Sequence, residues 1–214
     1  MKHNALLLDF GGVISKTLFE CHDDTERYFG LPPGTLLWRG PLDPEGDELW
    51  RTMLAEEITE REYWRRRAAE LGQMLGRTLE ARDLIGATRG DDPNRIVRPE
   101  AVATIHKAKA AGRRVGVLSN ELELFYGREV LSRLTILNDV DCVVDGSSSH
   151  VLKPSPAAYA RALDALGTTA ERTVFVDDQP RNVAGARAIG MTAVAFDVRD
   201  PAASFREIER LLEM

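Results

Sequence analysis

Residues 5–14 read ALLLDFGGVI, a short apolar run that stops at Asp9 and continues into Phe10 and two glycines. A continuous apolar run bounded by glycine predicts a strand buried on both faces of a parallel sheet. Because an ionised side chain is costly inside such a core, we expect Asp9 at the open end of the strand. Gly11 and Gly12 allow a sharp turn that brings backbone N–H groups near whatever Asp9 faces, which suggests an anion or a metal ion. From this segment alone, a helix-cap or turn aspartate is an equally good interpretation.

From residue 97 onward, short apolar runs alternate with helical patterns, as they do in the strand–helix units of a parallel sheet. Together with residues 5–8, these runs predict an α/β fold: a Rossmann-like parallel sheet of about five strands with helices on both faces. The helical patterns between them end at Gly112, Gly167 and Gly190, and glycine is the usual stop for a helix. The later apolar runs are residues 115–118, 142–144, 174–176 and 193–196.

Residues 16–96 differ from the rest, because they are rich in charge and helical periodicity and contain no comparable apolar run. The capping-box pattern at 59–62 predicts a helix with Tyr63, Trp64, Ala68 and Leu71 on one side. We therefore predict a core domain formed by residues 1–15 and 97–214 and an all-helical cap domain at 16–96. We interpret the arginines at 65–67 as a solvated helix face rather than a phosphate patch, and Trp38 and Trp64 as packing residues.

The composition favours a small-molecule partner. The 214 residues include 34 acidic and 28 basic side chains, so a net charge of -6 should repel nucleic acid and anionic membranes. The first apolar run is too short to span a bilayer and residues 1–4 lack signal-peptide features, so we expect a cytoplasmic protein. Cys21 and Cys142 have no metal-ligand spacing and are expected to be thiols, the latter buried in a strand. The sequence leaves the oligomeric state open.

Polar side chains follow each of the first four predicted strands. Ligands of open α/β sheets bind outside the carboxyl ends of the strands, so these groups should converge on one crevice. Clustered carboxylates need a cation, and hard oxygen ligands without histidine or cysteine point to magnesium. We expect only one of the paired aspartates to join Asp9 at the ion, because neighbouring side chains on an extended chain point opposite ways. The polar residues are Asp9, Ser119, Asn120, Asp145, Asp177 and Asp178.

Lys153 lies in the segment HVLKPSP, just before a predicted helix start. Taken alone, a solvated loop lysine is the more common interpretation. Beside a carboxylate cluster, however, a lysine can neutralise a bound phosphate and fix a nucleophile, and the company of Asp9 and the paired aspartates favours that role.

The segments DFGGVI (9–14), VLSN (117–120), LKPSP (152–156) and VFVDDQPRN (174–182) resemble, in order and spacing, the motifs of the haloacid dehalogenase-like hydrolase superfamily. The insert resembles the helical cap that one large subgroup carries between its first and second motifs. Within that subgroup, the DFGGV start is similar to the N-terminal phosphatase of epoxide hydrolases and to sugar phosphatases. The resemblance covers the whole chain, and VDDQPRNVAGARAIGM (176–191) is its most specific part.

The resemblance implies a magnesium-dependent phosphatase that acts on a small phosphorylated metabolite, such as a sugar phosphate, through an aspartyl-phosphate intermediate. It implies that Asp9 is the nucleophile and a metal ligand, and that Lys153 stabilises the transferring charge. The remaining implied roles are metal binding by the Gly11 carbonyl and Asp178, phosphate binding by Gly11, Gly12, Ser119 and Asn120, and support from Asp177 and Asn182.

One position departs from the family pattern. Most phosphatases of the superfamily carry a second aspartate, the general acid and base, where this chain has Gly11. The missing acid leaves open a catalytically weak binding or regulatory protein, and the shared aspartate nucleophile leaves open a metal-free 2-haloacid dehalogenase. Dehalogenases of this family use an arginine near the start of the cap, which residues 16–19 do not offer. The retention of Asp9, Lys153 and Asp178 together favours an enzyme.

Overall fold

The computed structural model describes residues 3–214, so Met1 and Lys2, which fall in the predicted core domain, lie outside the described residues. The chain divides into two compact units, one of Met1–Lys16 with Ile96–Met214 and the other of Thr17–Arg95. No helix within residues 3–214 is long and apolar enough to cross a bilayer. The assignment of the second unit as a cap domain stays a prediction.

The first unit is built on a five-stranded sheet in which every neighbouring pair of strands is parallel. The strand order is β3-β2-β1-β4-β5, so the first strand is central and the predicted Rossmann-like α/β fold is confirmed. The strands are β1 (Ala5–Leu8), β2 (Arg114–Ser119), β3 (Cys142–Asp145), β4 (Thr173–Asp177) and β5 (Thr192–Ala195).

The helices follow the predicted alternation after residue 97. Three of them both begin with proline at the first helical position, as expected from its fixed φ, and are followed by a glycine within two residues of their last helical residue. In chain order, the α-helices of the described residues are α1 (His22–Phe29), α2 (Glu48–Leu54), α3 (Glu60–Leu75), α4 (Ala81–Arg89), α5 (Pro99–Ala110), α6 (Leu122–Tyr126), α7 (Arg128–Leu131), α8 (Pro156–Leu166), α9 (Pro180–Ala188) and α10 (Pro201–Leu211).

The core of the first unit lies between the sheet and its helices. All four residues of β1 are fully buried, which accounts for the uninterrupted apolar run at 5–8. Tyr159 of α8 packs edge-on against Phe175 of β4, with ring centroids 5.5 Å apart. Cys142 is only half-buried, contrary to expectation, because β3 is an edge strand.

The second unit contains the helix expected from its capping pattern. The Thr59 side chain accepts a hydrogen bond from the Glu62 N–H, and the predicted apolar side of α3 is buried. Trp38 and Trp64 are 7% and 8% exposed, so their interpretation as packing residues is confirmed.

The interpretation of the arginines at 65–67 is wrong for Arg67. Its Nη2 donates to Asp47 at 2.5 Å and its Nη1 to Glu70 at 2.7 Å, while its guanidinium lies over the rings of Trp38 and Tyr63. The physical reason is helical periodicity: residue 67 lies four positions after Tyr63 and so shares the buried face of α3.

Candidate active site

Asp9 leaves the central strand of the sheet at its carboxyl end. Its backbone N–H donates to the Val176 carbonyl at 2.9 Å, so the ladder with β4 continues up to the residue itself. The chain then turns: Gly12 has φ 78°, whereas Gly11 has φ -68° and ψ 127°, an ordinary conformation for any residue. Only the second glycine is therefore required by the backbone, although the sequence suggested that both are.

Lys153 reaches Asp9 from the loop before α8. Its Nζ donates to Asp9 Oδ1 and to Asp177 Oδ2, both at 2.7 Å, and the lysine side chain is only 2% exposed. The ammonium group therefore bridges the ends of β1 and β4. Two carboxylates share one buried cation, so further positive charge is needed to neutralise their combined negative charge.

The Asn120 side chain fixes the backbone of Lys153. Its Oδ1 accepts from the Lys153 N–H at 2.7 Å, and its Nδ2 donates to the Lys153 carbonyl at 3.1 Å. Both ends of the side-chain amide are engaged by Lys153, and the phosphate-binding role that the resemblance implies for Asn120 stays a prediction. Because Gly146 has no side chain, its backbone can lie close to Asn120: a Cβ there would be 2.8 Å from the Asn120 backbone carbonyl oxygen.

Asp177 is fully buried at the end of β4 and its oxygens are heavily used. Besides Lys153, it accepts hydrogen bonds from the Gln179 N–H at 2.9 Å and from Asn182 Nδ2 at 3.0 and 3.1 Å. The Tyr159 hydroxyl in turn donates a hydrogen bond to the backbone carbonyl of Asn182 at 2.7 Å. Asp177 and Asn182 thus form a supporting layer beneath the lysine.

Asp9, Asp177 and Asp178 each offer an oxygen atom within 4.8 Å of the others. Oxygens of both paired aspartates come this close because β4 ends at Asp177 and strand alternation does not extend to Asp178. The expectation that only one of the pair joins Asp9 at an ion stays a prediction. Hard carboxylate oxygens at this spacing fit magnesium. Asp177 also accepts hydrogen bonds on both of its oxygens.

The charges of the site act on one another. Burial and the charge of Asp177 raise the pKa of Asp9 to about 7, while Lys153 opposes this shift. Burial alone would lower the pKa of Lys153, but the charges of Asp177 and Asp9 raise it above its ordinary value, so the lysine is a permanent cation. A bound divalent cation would favour the ionised form of Asp9 still further.

Ser119 and Asp145 occupy the ends of β2 and β3 and face each other in the register of the two strands. Ser119 is 8% exposed, next to Asn120. Asp145 does not join the carboxylate group: it accepts hydrogen bonds from the N–H groups of Leu122 and Glu123 at 3.1 and 2.8 Å. The expectation that it converges with the other polar groups is therefore wrong, because it caps the start of α6 instead.

Gly185 also shapes the site, although its role was not read from the sequence. A Cβ on this residue of α9 would lie 2.7 Å from Pro154 Cβ and 3.0 Å from the Tyr159 hydroxyl. The missing side chain lets α9 approach the segment that carries Lys153. Its position in VDDQPRNVAGARAIGM was the available signal, because a glycine inside a helix often marks close packing.

Comparison with known proteins identifies the family of this chain. The model of the haloacid dehalogenase-like hydrolase family matches residues 3–190. Phosphatase MT3486 of Mycobacterium tuberculosis is 29% identical in an alignment of 204 positions that covers 92% of this chain and 88% of that protein. Phosphoglycolate phosphatase of Rhodospirillum rubrum is 35% identical in an alignment of 111 positions that covers 50% of this chain and 46% of that protein.

The solved structure of L-2-haloacid dehalogenase from Xanthobacter autotrophicus has a TM-score of 0.58 at 24% identity, covering 89% of this chain and 76% of that one. At this identity the likeness concerns the fold alone. The family match, in contrast, spans strands β1 to β4 and the segments that carry Asp9, Lys153 and Asp177. The chain belongs to the haloacid dehalogenase-like hydrolase family.

Proposed function

We propose that this hydrolase is a magnesium-dependent phosphatase of a small phosphorylated metabolite. The observation that carries the proposal is the group formed by Asp9, Asp177 and Asp178, in which Asp9 and Asp177 pair with the buried ammonium of Lys153. A carboxylate nucleophile, a cation site and a fixed lysine are the parts that phosphoryl transfer through an aspartyl-phosphate requires. The phosphatase names of two relatives support the same reaction class.

The proposed reaction has two displacements at phosphorus. A carboxylate oxygen of Asp9 attacks in line, the bond from phosphorus to the leaving oxygen breaks with its electron pair going to that oxygen, and an aspartyl-phosphate forms. The leaving oxygen takes its proton from water. Water then attacks the same phosphorus, which releases inorganic phosphate and regenerates the Asp9 carboxylate. Lys153 balances the negative charge of the transferring group, and the Ser119 hydroxyl donates to one of its oxygens.

Asp9, Asp178 and the Gly11 carbonyl would hold the magnesium ion. When bound, the ion supplies positive charge next to the phosphoryl oxygens. Asp177 and Asn182 keep Lys153 and the ligand loop in place, while Asn120 fixes the lysine backbone. The proposed catalytic residues are therefore Asp9, Ser119 and Lys153.

The proposal includes the setting of the reaction. We place the protein in the cytoplasm and assign substrate selection to the unit Thr17–Arg95 as a cap domain. The net charge of -6 favours a small-molecule substrate over nucleic acid or an anionic membrane.

A metal-free 2-haloacid dehalogenase is the main alternative, since relatives of that kind share the fold. The grouping of three carboxylates supports the metal-dependent reaction, because their mutual repulsion is best relieved by a divalent cation. A catalytically weak binding protein would have no use for a buried lysine on a nucleophile.

A screen of phosphorylated metabolites with magnesium, and with a chelator in its place, tests the proposal. We expect phosphate release from one chemical class of substrate, which the chelator abolishes, and none from the Asp9→Asn variant. Halide release from 2-haloacids in the presence of chelator, without phosphate release from any ester, would contradict the proposal.

A further inference from the structure

Arg98 is a buried arginine that contacts the turn after Asp9. It is 4% exposed and lies immediately before α5. Its Nε and Nη2 both donate to the Gly12 carbonyl, at 3.3 and 3.2 Å, and its backbone N–H donates to the Ile14 carbonyl at 2.9 Å. Arg98 is therefore hydrogen-bonded to the turn through both its side chain and its backbone.

The turn itself has one residue in an unusual conformation. Gly12 has φ 78° and ψ -26°, so the peptide groups on either side of it are turned relative to the strand. The Ser15 N–H donates to the Phe10 carbonyl at 2.8 Å and closes the turn from the far end. Arg98 fixes the carbonyl at the middle of this turn, next to the Gly11 carbonyl.

The guanidinium is held in place from its other side. It lies over the ring of Phe196, which follows β5, with 5.7 Å between Cζ and the ring centroid. Phe196 packs in turn against Phe205 of α10 at 5.2 Å. A planar group that stacks on an aromatic ring and donates through a fork has a defined orientation, which a lysine would not reproduce.

We propose that Arg98 is a positioning residue for catalysis: its fork on the Gly12 carbonyl sets the turn that aims Asp9 and the Gly11 carbonyl at the reacting phosphate. The inference rests on the proposed phosphatase function. Misplacement of a nucleophile by about 1 Å can reduce a rate about a hundredfold, so loss of this grip should act mainly on kcat.

Arg113 provides a matched control in the same unit. It is also buried, at 6% exposure, and its Nη2 donates to a backbone carbonyl, that of Leu212, at 2.9 Å. It lies just before β2, at the amino end of the sheet, whereas Asp9 lies at the carboxyl end of β1. Removing either guanidinium leaves comparable buried acceptors, but only Arg98 contacts the Asp9 turn.

The experiment compares Arg98→Met, Arg98→Lys and Arg113→Met with the wild type. Hydrolysis of 4-nitrophenyl phosphate with magnesium gives kcat and KM, and hydrogen–deuterium exchange without metal follows the backbone amides of residues 9–15. We expect Arg98→Met to lower kcat about tenfold to a hundredfold with KM within about threefold, and to speed exchange in the turn. Arg98→Lys should recover part of kcat, and Arg113→Met should change neither kcat nor exchange at 9–15.

Equal kcat values for Arg98→Met and Arg113→Met, with unchanged exchange in the turn, would overturn the inference and leave Arg98 a structural residue only. If Arg98→Met does not fold, the same comparison is made with Arg98→Lys, for which unchanged kcat and exchange would have the same meaning. Absence of phosphatase activity in the wild type would refute the proposed function instead, and the exchange data would still decide whether Arg98 holds the turn.

Discussion

Lys153 and Asp9 form a buried ion pair between residues 144 positions apart in the chain, with Nζ 2.7 Å from Oδ1. The side chains are 2% and 12% exposed, so water does little to weaken the pair. The pair exists because the loop before α8 returns over the carboxyl end of the central strand. It affects the ionisation of Asp9, the proposed nucleophile: the lysine charge opposes the effect of burial, which raises the Asp9 pKa.

Replacing Lys153 with methionine tests this pairing. We expect kcat to fall at least about a hundredfold, because the charge that offsets the transferring phosphate is lost. The metal-free protein should also lose about 3 kcal/mol of unfolding free energy, since Asp9 and Asp177 stay buried without a cation. Lys107→Met, at a lysine that is 56% exposed, is the control. A Lys153→Met enzyme within threefold of wild type would rule out the assigned role.

Asp177 and Asp178 should differ in what their loss removes. Asp177→Asn should lower the free energy of unfolding by about 3 kcal/mol, because Lys153 loses a partner inside the protein. Asp178→Asn should weaken magnesium binding by at least about tenfold and leave stability in chelator equal or higher, because carboxylate repulsion is reduced. Calorimetric magnesium titration and urea unfolding followed by circular dichroism measure the two effects. The reverse pattern would exchange the assigned roles.

The glycine at position 11 should make the reaction sensitive to the leaving group. Without a carboxyl group there to donate a proton, acyl, aryl and anomeric sugar phosphates should react faster than primary alkyl phosphates, since general acid help is worth about 10² to 10⁴ in rate. The measurement is the slope of log kcat/KM against leaving-group pKa. A flat slope in the wild type would show that another group already supplies the proton.

Gly11→Asp should reduce that slope by helping poor leaving groups most. The backbone accepts the substitution, because φ is -68° and a Cβ would meet no described heavy atom within 4 Å. Gly11→Asn, which has the same shape without the acid, is the matched control and should keep the wild-type slope. Equal slopes in all three proteins would contradict the explanation.

His22 should make the second unit less stable in acid. Burial, followed by the charge of Arg39, lowers its pKa from 6.5 to about 4, although Glu26 and Asp23 act in the opposite direction. The unfolded chain then binds a proton near pH 6.5 that the folded chain does not bind until about pH 4. Stability is therefore complete above pH 6.5 and falls as the pH is lowered towards 4.

Urea unfolding at pH 7.5 and pH 4.5 measures this effect, and tryptophan fluorescence reports on the second unit because Trp38, Trp50 and Trp64 all lie in it. We expect His22→Gln to remove on the order of 1 kcal/mol of the pH dependence. An identical pH dependence in His22→Gln and wild type would refute the role of His22.

The sequence predicted the sheet and the grouping of residues at its edge, because both depend on local patterns. The buried run before Asp9 and the glycine stops of the helices need no knowledge of distant contacts. The partners of the polar side chains could not be predicted in the same way. The hydrogen bonds of Asn120 with Lys153 and of Arg98 with Gly12 join residues 33 and 86 positions apart. No periodicity of the sequence indicates such pairs.

Misassigned residues have the same origin. A run of charge predicts that Arg67 is solvated, yet its position on the buried face of α3 directs its side chain towards Asp47 and two aromatic rings. Asp145 lies at a strand end, where site residues are expected, but its carboxylate accepts hydrogen bonds from the backbone N–H groups of Leu122 and Glu123. Tertiary hydrogen bonds decided both outcomes.

The most direct test of the central claim is chemical trapping of the phosphorylated nucleophile. The enzyme is mixed with magnesium and a phosphate ester that it hydrolyses, and the reaction is quenched in acid during turnover. Reduction with borohydride then converts an aspartyl-phosphate to homoserine. Peptide mass spectrometry then locates the homoserine. The account predicts homoserine at position 9 in the wild type and none in Asp9→Asn. Homoserine at another carboxylate, or at none while turnover proceeds, would contradict it.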